Sequence, residues 1–255
     1  MAARPKRRVL ITGASGLVGG LLARAIERRY EVVGLCRRRV RGIRSVRADI
    51  NDLDKIVPVF RGVHTVVHLA AHVGGDPDAN LTTNIRGTYN VLEASRRAGV
   101  RRFVFGSSGT VTAGYELDEP FRAMVEARWA DVPARRPLVD HTMPVRPGNL
   151  YAACKVFGEA LSSFYATACA ISTICVRLGR VETDDRPASA RAAALYLSHR
   201  DAVGFLAAAI KAPAKIRFET VYAVSANRGR FRDLEHARRV LGYVPRDGAD
   251  WPLAR

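Results

Sequence analysis

Several features that would place this chain in a membrane, a disulfide scaffold or a metal site are scarce in its 255 residues. The four cysteines, at positions 36, 154, 169 and 175, have neither the spacing of metal ligands nor the density of a disulfide-bonded domain. No apolar run approaches the length that a bilayer requires. We therefore predict reduced thiols, no bound metal, no membrane partner and a cytoplasmic location.

Acidic residues and lysines are also few, so the charge of the chain is one-sided. There are 24 Asp and Glu residues against 41 Lys and Arg residues, of which only five are lysines, and the formal net charge is +17. Such a balance occurs in proteins that bind nucleic acid. The arginines are scattered, however, and no basic motif is interleaved with aromatic residues. We predict a solvated arginine-rich surface and no specific nucleic-acid partner, and nonspecific anion binding stays open.

Three glycines spaced three apart, Gly13, Gly16 and Gly19, follow the apolar run at 9–11 and open an apolar segment with helical periodicity. This arrangement predicts a strand, a tight turn and a helix. Gly13 can adopt the backbone angles of the turn, Gly16 lets the main chain approach a pyrophosphate, and Gly19 lets the helix pack against the strand. We therefore predict a dinucleotide-binding loop at the helix N-terminus. Because this apolar run is then a strand, the basic residues 4–8 before it are not interpreted as an export signal.

The residue after the second predicted strand, 31–36, bears on which dinucleotide is favoured. An acidic side chain there would hydrogen-bond the ribose hydroxyls and repel a 2′-phosphate. This chain has Arg37, followed by two more arginines. Because a guanidinium matches phosphate in geometry and charge, the sequence favours NADP(H), with NAD(H) as the alternative. The competing interpretation is a solvated loop of arginines.

The rest of the chain alternates predicted strands and helices. Strands are expected at 43–46, 63–71, 102–105, 171–178 and 220–224, and helices at 84–95, from 149 onward, over much of 191–210 and at 234–241. Residues 116–148 contain five prolines, which predicts a long loop or lid with one short helix near 121–129. The alternation predicts an α/β Rossmann fold, a doubly wound parallel sheet with a small C-terminal substrate-binding part. We expect a single domain over 1–255, in which 1–165 mainly bind the cofactor and 166–255 contribute most of the substrate-binding part.

Three histidines four residues apart, His64, His68 and His72, lie on or next to the fourth predicted strand. On a strand this spacing does not gather side chains as it does on a helix. We therefore predict structural roles for them rather than a metal site.

Ser108, Tyr151 and Lys155 form a candidate proton-transfer set. Ser108 follows the fifth predicted strand, where open α/β sheets bind ligands, and Tyr151 and Lys155 are one turn apart on a predicted helix. A phenol is a weak base because its ordinary pKa is about 10, and a lysine ammonium together with an oxidised nicotinamide would lower that pKa. Tyr151 can then exchange a proton with a substrate hydroxyl or carbonyl while Ser108 hydrogen-bonds the same oxygen. Each residue alone is better explained as a turn former or a surface pair, but their joint order favours function.

Together these residues resemble the extended short-chain dehydrogenase/reductase family, the branch of NAD(P)-dependent epimerases and dehydratases. The resemblance covers nearly the whole chain and implies a Rossmann fold, a homodimer and a catalytic set of Ser108, Tyr151 and Lys155 supported by Asn84. It is carried by Thr12-Gly13-x-x-Gly16-x-x-Gly19, Asp49-Ile50, His68-Leu69-Ala70-Ala71, Asn84, Ser108 and Tyr151-x-x-x-Lys155. The cofactor contacts that it implies are Gly13, Ser15, Gly16, Leu17, Val18, Gly19, Arg37, Asp49, Ile50, Leu69, Ala70, Ala71, Tyr151 and Lys155.

Within that branch the chain is most similar to uronate dehydrogenases, which oxidise the anomeric carbon of a sugar acid to a lactone. This similarity implies substrate contacts at Val73, Ser108, Gly109, Thr110, Arg180 and Arg191. Arg191 matches the arginine that is expected to bind the substrate carboxylate in those enzymes. Val73 and Arg180 stand where serines are expected, and Gly109-Thr110 stands where Asn-His is expected.

The leading hypothesis is an NADP-dependent oxidoreductase that transfers hydride between the nicotinamide and an alcohol, lactol or carbonyl of a small molecule, anionic or sugar-like, with Tyr151 as acid/base. One alternative is an epimerase or dehydratase that uses bound nicotinamide transiently. Another is a noncatalytic nucleotide-binding sensor, which would not need the proton-transfer set.

Overall fold

The computed structural model describes residues 5–251, so the ends of the predicted domain, 1–255, and the first residue of the basic stretch 4–8 lie outside the described residues. A seven-stranded sheet has the strand order β3-β2-β1-β4-β5-β6-β7. Strands β1 and β2, β1 and β4, β2 and β3, and β4 and β5 pair in parallel. The strands are β1 (Arg8–Thr12), β2 (Glu31–Cys36), β3 (Arg44–Arg47), β4 (Thr65–His68), β5 (Arg102–Ser108), β6 (Ser172–Leu178) and β7 (Phe218–Ala223). The predicted α/β fold with a parallel sheet is confirmed.

Helices connect the strands. They are α1 (Leu17–Ile26), α2 (Leu53–Ile56), α3 (Pro77–Ala79), α4 (Thr88–Arg97), α5 (Phe121–Val125), α6 (Leu150–Ala168), α7 (Ala190–Ala194), α8 (His199–Lys211) and α9 (Glu235–Leu241). Short 3-10 segments occur at Val57–Phe60, Gly109–Leu117 and Trp129–Asp131, and Asn80–Gly87 is π-helical. Among residues 5–251, no helix is both long and apolar enough to cross a membrane.

Strand β1 is buried, and its pairing with β4 sets where the segments after both strands begin. Its residues from Val9 to Thr12 are buried, as expected for a parallel sheet that is covered on both faces. Thr12 is in register with His68, the last residue of β4. The segments that follow these two strands therefore leave the sheet side by side.

The chain divides into two compact units. The first contains the residues up to Gly106, Phe157–Cys175 and Pro213–Glu219, and the second contains Ser107–Val156, Val176–Ala212 and the residues from Thr220 onward. Each unit has its own apolar cluster, around Leu10, Phe60 and Phe103 in the first and around Phe121 and Phe231 in the second. The single domain with a functional division near residue 165 stays a prediction.

Several predicted boundaries are wrong. β4 ends at His68 rather than at 71, and β5 continues through Ser108 rather than ending at 105. The helix predicted at 84–95 begins as the π-helical segment and continues as α4. The predicted helical region 191–210 is broken, because Arg180 N donates to Leu195 O and Leu197 N donates to Arg180 O, which holds the intervening residues extended.

Candidate active site

The turn between β1 and α1 is built on two glycines that allow close approaches of main chain. Gly13 has φ +72°, and a Cβ at this position would stand 2.7 Å from the backbone nitrogen of Ala70. A Cβ on Gly19 would collide with the carbonyl oxygen of Gly13. The turn therefore packs against the segment after β4, and α1 packs directly on the turn.

The N-terminus of α1 is open to an anionic group. Gly16 is the N-cap, no side chain caps the first N–H groups, and the first turn contains no acidic residue. The unpaired N–H groups and the helix dipole favour negative charge there. Together with the tight turn, this arrangement fits the diphosphate of a dinucleotide.

An open cleft of about 230 Å³ lies beside this turn in the first unit. Nine of the predicted cofactor contacts line it: Gly13, Ser15, Gly16, Arg37, Asp49, Ile50, Leu69, Ala70 and Ala71. Leu17, Val18 and Gly19 do not line it, and Tyr151 and Lys155 belong to the second unit. Five lining residues were not predicted, namely Leu35, Cys36, Arg38, Ala48 and Thr83. Arg38 and Ala48 are sequence neighbours of predicted contacts, whereas Thr83 comes from the π-helical segment, whose course no sequence pattern indicates.

Two exposed arginines stand at the end of β2, beside the cleft. Arg37 and Arg38 follow Cys36, and all three residues line the cleft. Cys36 is buried and its thiol donates to the Arg38 carbonyl at 2.8 Å. No acidic side chain therefore stands where it would repel a 2′-phosphate directly after β2.

Asn84 holds the segment that follows β4. Its side chain is almost fully buried, its Oδ1 accepts from His72 N at 2.9 Å, and its Nδ2 donates to His72 O at 2.8 Å and to Asn80 Oδ1 at 2.9 Å. All of these partners belong to the first unit. The contribution of Asn84 to the catalytic network stays a prediction, as does substrate binding by Val73, whose side chain is 73% exposed.

His68 is a structural residue, as predicted. It is fully buried between Thr12 Oγ1, 2.7 Å from its Nδ1, and Thr88 Oγ1, 3.1 Å from its Nε2. In the part of the chain that the structure describes, no group of three or more His, Cys, Asp or Glu residues could hold a metal ion.

The second unit brings together the predicted proton-transfer residues. Ser108 ends β5, and its side chain hydrogen-bonds Tyr151. Ser108 Oγ also accepts from Thr110 N at 3.2 Å and from Thr110 Oγ1 at 2.8 Å. Lys155, one turn further along α6, places its Nζ 5.6 Å from the centroid of the Tyr151 ring. A phenol, a hydroxyl and an ammonium thus lie within one small cluster.

Two opposing effects of the protein itself act on the pKa of Tyr151. Burial raises the pKa of the phenol above its ordinary value of 10.0, and the hydrogen bond with Ser108 opposes that rise. Desolvation disfavours the phenolate unless a positive charge or a donor compensates. The predicted lowering involves an oxidised nicotinamide as well as Lys155, and it stays a prediction.

Two of the predicted substrate-binding arginines have partners within the chain. Arg191 Nε lies 2.5 Å from Glu116 Oε2, and the Glu116 side chain is only 10% exposed. Arg180 is exposed and pairs with Glu182. Their roles toward a substrate stay predictions, and any substrate carboxylate at Arg191 would meet a guanidinium that already has an anionic partner.

Arg232 was not predicted as a site residue. It is fully buried, and its Nη2 donates to Gly109 O at 3.2 Å and lies 3.6 Å from Glu116 Oε1. Burial lowers the pKa of its guanidinium to about 10. Arg232 therefore fixes the segment that follows Ser108. In the sequence it is one of many scattered arginines, and nothing marks it as buried.

Comparisons with known proteins agree with this geometry. Residues 9–200 match the model of the NAD dependent epimerase/dehydratase family. The chain is 34% identical to the L-arabinose 1-dehydrogenase (NAD(P)(+)) of Haloferax volcanii, over 95% of this chain and 97% of that protein. It is 32% identical to the NAD-dependent glucose-6-phosphate dehydrogenase of the same organism, over 94% of each.

A solved structure of a dehydrogenase is also similar to this chain. The Agrobacterium tumefaciens uronate dehydrogenase, as a mutant complexed with NAD, superposes with a TM-score of 0.80 and 26% identity, over 95% of this chain and 86% of that one. These similarities confirm the predicted resemblance and agree with the predicted class of enzyme, an NAD(P)-dependent dehydrogenase. The chain belongs to the NAD-dependent epimerase/dehydratase family, within the extended short-chain dehydrogenases/reductases.

Proposed function

We propose that this protein is an NADP-dependent dehydrogenase that oxidises the lactol or alcohol carbon of a small sugar-like molecule, or reduces the corresponding carbonyl. The observation that carries the proposal is the cluster in which Ser108 hydrogen-bonds the half-buried Tyr151 and Lys155 Nζ lies 5.6 Å from the centroid of the Tyr151 ring. A sensor of bound nucleotide would not need a proton-transfer set. The similar proteins support a sugar-like substrate, because they are named for L-arabinose, glucose 6-phosphate and uronate.

In the proposed mechanism, the phenolate of Tyr151 takes the proton of the substrate hydroxyl. Ser108 donates a hydrogen bond at the same oxygen and fixes its position, which lowers the entropic part of the barrier. The ammonium of Lys155 favours the phenolate over the phenol. The cofactor, when bound, supplies the acceptor of the hydride from the carbon. For reduction of a carbonyl the proton transfer is reversed, and Tyr151 is the acid.

NADP is proposed over NAD because Arg37 and Arg38 line the cleft at the end of β2. Two guanidinium groups at this position suit a 2′-phosphate in charge and geometry. The diphosphate would lie on the turn of Gly13 and Gly16 and the open N-terminus of α1. The related proteins are named for NAD or for either cofactor, so the preference is tested on this chain directly.

The test is net turnover with NADP and with NAD, using L-arabinose, glucose 6-phosphate and glucuronate. We expect reduced cofactor to accumulate with at least one sugar and faster with NADP. Tyr151→Phe should lower kcat by about 10²- to 10⁴-fold, because general acid–base catalysis is removed. The matched control is Tyr165→Phe on the same helix, whose hydroxyl bonds Glu93 and should leave kcat unchanged.

Three outcomes would contradict the proposal. Full activity of Tyr151→Phe would remove the phenol from the mechanism. Conversion of a sugar without net change in the cofactor would support the epimerase or dehydratase alternative. Binding of NADP without conversion of any sugar, alcohol or ketone in a broad panel would support the sensor.

A further inference from the structure

The hydroxyl of Ser108 receives more hydrogen bonds than its place in the fold requires. Its Oγ accepts from the backbone N–H of Thr110 at 3.2 Å and from the hydroxyl of Thr110 at 2.8 Å. It also bonds Tyr151. Three groups therefore converge on the hydroxyl of a buried residue.

A donor count fixes the direction of these bonds. A serine hydroxyl has one proton and two lone pairs. Both lone pairs of Ser108 are taken by Thr110, so its proton is the only group left for a third partner. That direction agrees with the effect on Tyr151, since the hydrogen bond from Ser108 lowers the pKa of the phenol and so favours its anionic form.

Local structure explains one of the two bonds from Thr110 but not the other. Ser108 is the N-cap of the 3-10 segment Gly109–Leu117, and a cap accepts from a backbone N–H two residues later. The second bond joins one side-chain hydroxyl to another and satisfies no backbone group. Because threonine is branched at Cβ, its χ1 angle is restricted, which keeps this hydroxyl directed at Ser108.

We propose that Thr110 is a positioning residue, whose hydroxyl makes Ser108 a donor only and directs the Ser108 proton to the oxygen of Tyr151. The inference rests on the proposed function and goes beyond it, because it gives a side chain predicted to bind substrate a role in activating the base. Without the Thr110 hydroxyl, one lone pair of Ser108 is free. Ser108 can then accept a hydrogen bond from the phenol instead of donating one to the phenolate.

The charged groups around these hydroxyls come from three elements. Lys155 lies on the helix of Tyr151, with its Nζ 5.6 Å from the ring centroid. Arg232 and Glu116 meet at the segment after Ser108, where Arg232 Nη2 donates to Gly109 O at 3.2 Å and lies 3.6 Å from Glu116 Oε1. Lys155, Arg232 and Glu116 are unchanged in the variants below. A change in the titration of Tyr151 therefore reports the hydrogen bonds from Thr110 to Ser108 and from Ser108 to Tyr151.

The experiment compares Thr110→Val, which keeps the branched shape and removes the hydroxyl, with Thr110→Ser, which restores it. The matched control is Thr112→Val. Thr112 is a buried threonine in the same segment, and its hydroxyl bonds Gly109 O at 3.2 Å and Tyr222 OH at 2.9 Å rather than Ser108. This control removes an equivalent hydroxyl and lowers the stability of the fold, but it leaves the hydrogen bonds from Thr110 to Ser108 and from Ser108 to Tyr151 unchanged.

Two measurements are made on the NADP-loaded enzyme: the pH profile of kcat/KM for sugar oxidation, and the titration of Tyr151 by NMR of ¹³Cζ-labelled tyrosine, assigned with Tyr151→Phe. Thr110→Val should raise the pKa of Tyr151, so the acid limb of the profile moves to higher pH by roughly 0.5–1 unit. The rate should fall about three- to tenfold below the midpoint and return toward wild type above it. Thr110→Ser should restore the wild-type profile.

The outcomes separate this inference from the proposed function. A loss of rate at every pH without a shifted midpoint, a shift that Thr110→Ser does not reverse, or an equal shift in Thr112→Val would each overturn the role of Thr110. If no sugar is oxidised but the NMR titration shifts as expected, the positioning role stands and the proposed function fails. If sugars are oxidised and neither titration moves, the proposed function stands and the positioning role fails.

Discussion

Glu116 and Arg191 form a pair that bears on which substrates the site accepts. The resemblance assigns Arg191 to the carboxylate of a sugar acid, yet its Nε lies 2.5 Å from Glu116 Oε2. Glu116 is nearly buried and also lies 3.6 Å from Arg232. A substrate carboxylate would therefore have to displace an internal carboxylate that two guanidinium groups already hold, and like charges close together are unfavourable. We therefore expect the pair to favour substrates without an acid group.

We expect Glu116→Gln to improve the use of a uronate relative to L-arabinose. Removing the internal charge frees Arg191 for a substrate carboxylate, and a charge-assisted hydrogen bond corresponds to about a tenfold gain in relative kcat/KM. The measurement is the ratio of kcat/KM for glucuronate and L-arabinose in wild type and variant. Glu119→Gln is the control, because it removes an equal charge from an exposed pair with Arg122 and Arg128. A wild type that prefers glucuronate and loses this preference in Glu116→Gln would contradict the expectation.

At the scale of elements, the sequence predicts the secondary structure correctly wherever the pattern that specifies it is local. The spacing of Gly13, Gly16 and Gly19 predicts the first strand, turn and helix, because the tight turn and the packing of the helix on it require residues without a side chain. The alternation of apolar segments predicts the parallel sheet. Ser108, Tyr151 and Lys155 are predicted to act together because their types and order suit one reaction, and their catalytic roles stay a prediction.

Other features depend on contacts between distant segments, which a local pattern does not report. The break between α7 and α8 exists because residue 180 bonds Leu195 and Leu197. Arg232 is held in the interior because its guanidinium donates to Gly109 O and forms an ion pair with Glu116, and a surface arginine would look the same in the sequence. The π-helical course of Asn80–Gly87 likewise has no recognisable signal, yet it adds Thr83 to the cleft lining.

A hydrogen bond to the Glu93 carboxylate ties α4 to α6 in the first unit. Glu93 accepts from Arg96 and Arg97 on its own helix and from the Tyr165 hydroxyl at 3.2 Å. The hydrogen bonds from Arg96 are the main cause that lowers its pKa from 4.5 to about 2. A carboxyl whose pKa is lower in the folded than in the unfolded state stabilises the protein above its unfolded pKa, and this contribution is lost as the pH falls toward the folded pKa.

We therefore expect Glu93→Gln to lower the free energy of unfolding by about 1–3 kcal/mol at pH 7. The difference from wild type should shrink as the pH falls from 4.5 toward 2, the interval between the two pKa values of Glu93. Denaturant unfolding at a series of pH values measures it. Glu235→Gln on α9 is the control, because that carboxylate pairs with Arg238 in an exposed i,i+3 pair and should contribute little. A difference that persists undiminished at the acid end would show that Glu93 acts through packing rather than charge.

At the scale of the whole molecule, the net charge of +17 attracts anions in general, so specific recognition by a single arginine has to be separated from this general attraction. A strongly basic surface attracts every anion, including a dinucleotide, and this attraction is weakened by salt. We expect position rather than total charge to separate an arginine that would recognise the 2′-phosphate of NADP from those that only contribute to the positive potential of the surface. Arg37 lines the cleft at the end of β2, whereas Arg39, two residues later, is exposed and is not among the residues that line it.

Arg37→Asp and Arg39→Asp change the net charge of the molecule equally, so they distinguish the two effects. We expect Arg37→Asp to raise the Kd of NADP by about tenfold to a hundredfold and to leave the Kd of NAD much less affected, because hydrogen bonds from a guanidinium to the 2′-phosphate are lost. Arg39→Asp should weaken both dinucleotides slightly and equally, and only at low ionic strength. Titration calorimetry with both cofactors, on wild type and both variants at two salt concentrations, measures these Kd values. Equal losses of NADP affinity in the two variants, abolished by salt, would mean that the chain attracts NADP through its overall charge and that Arg37 has no specific part in choosing the cofactor.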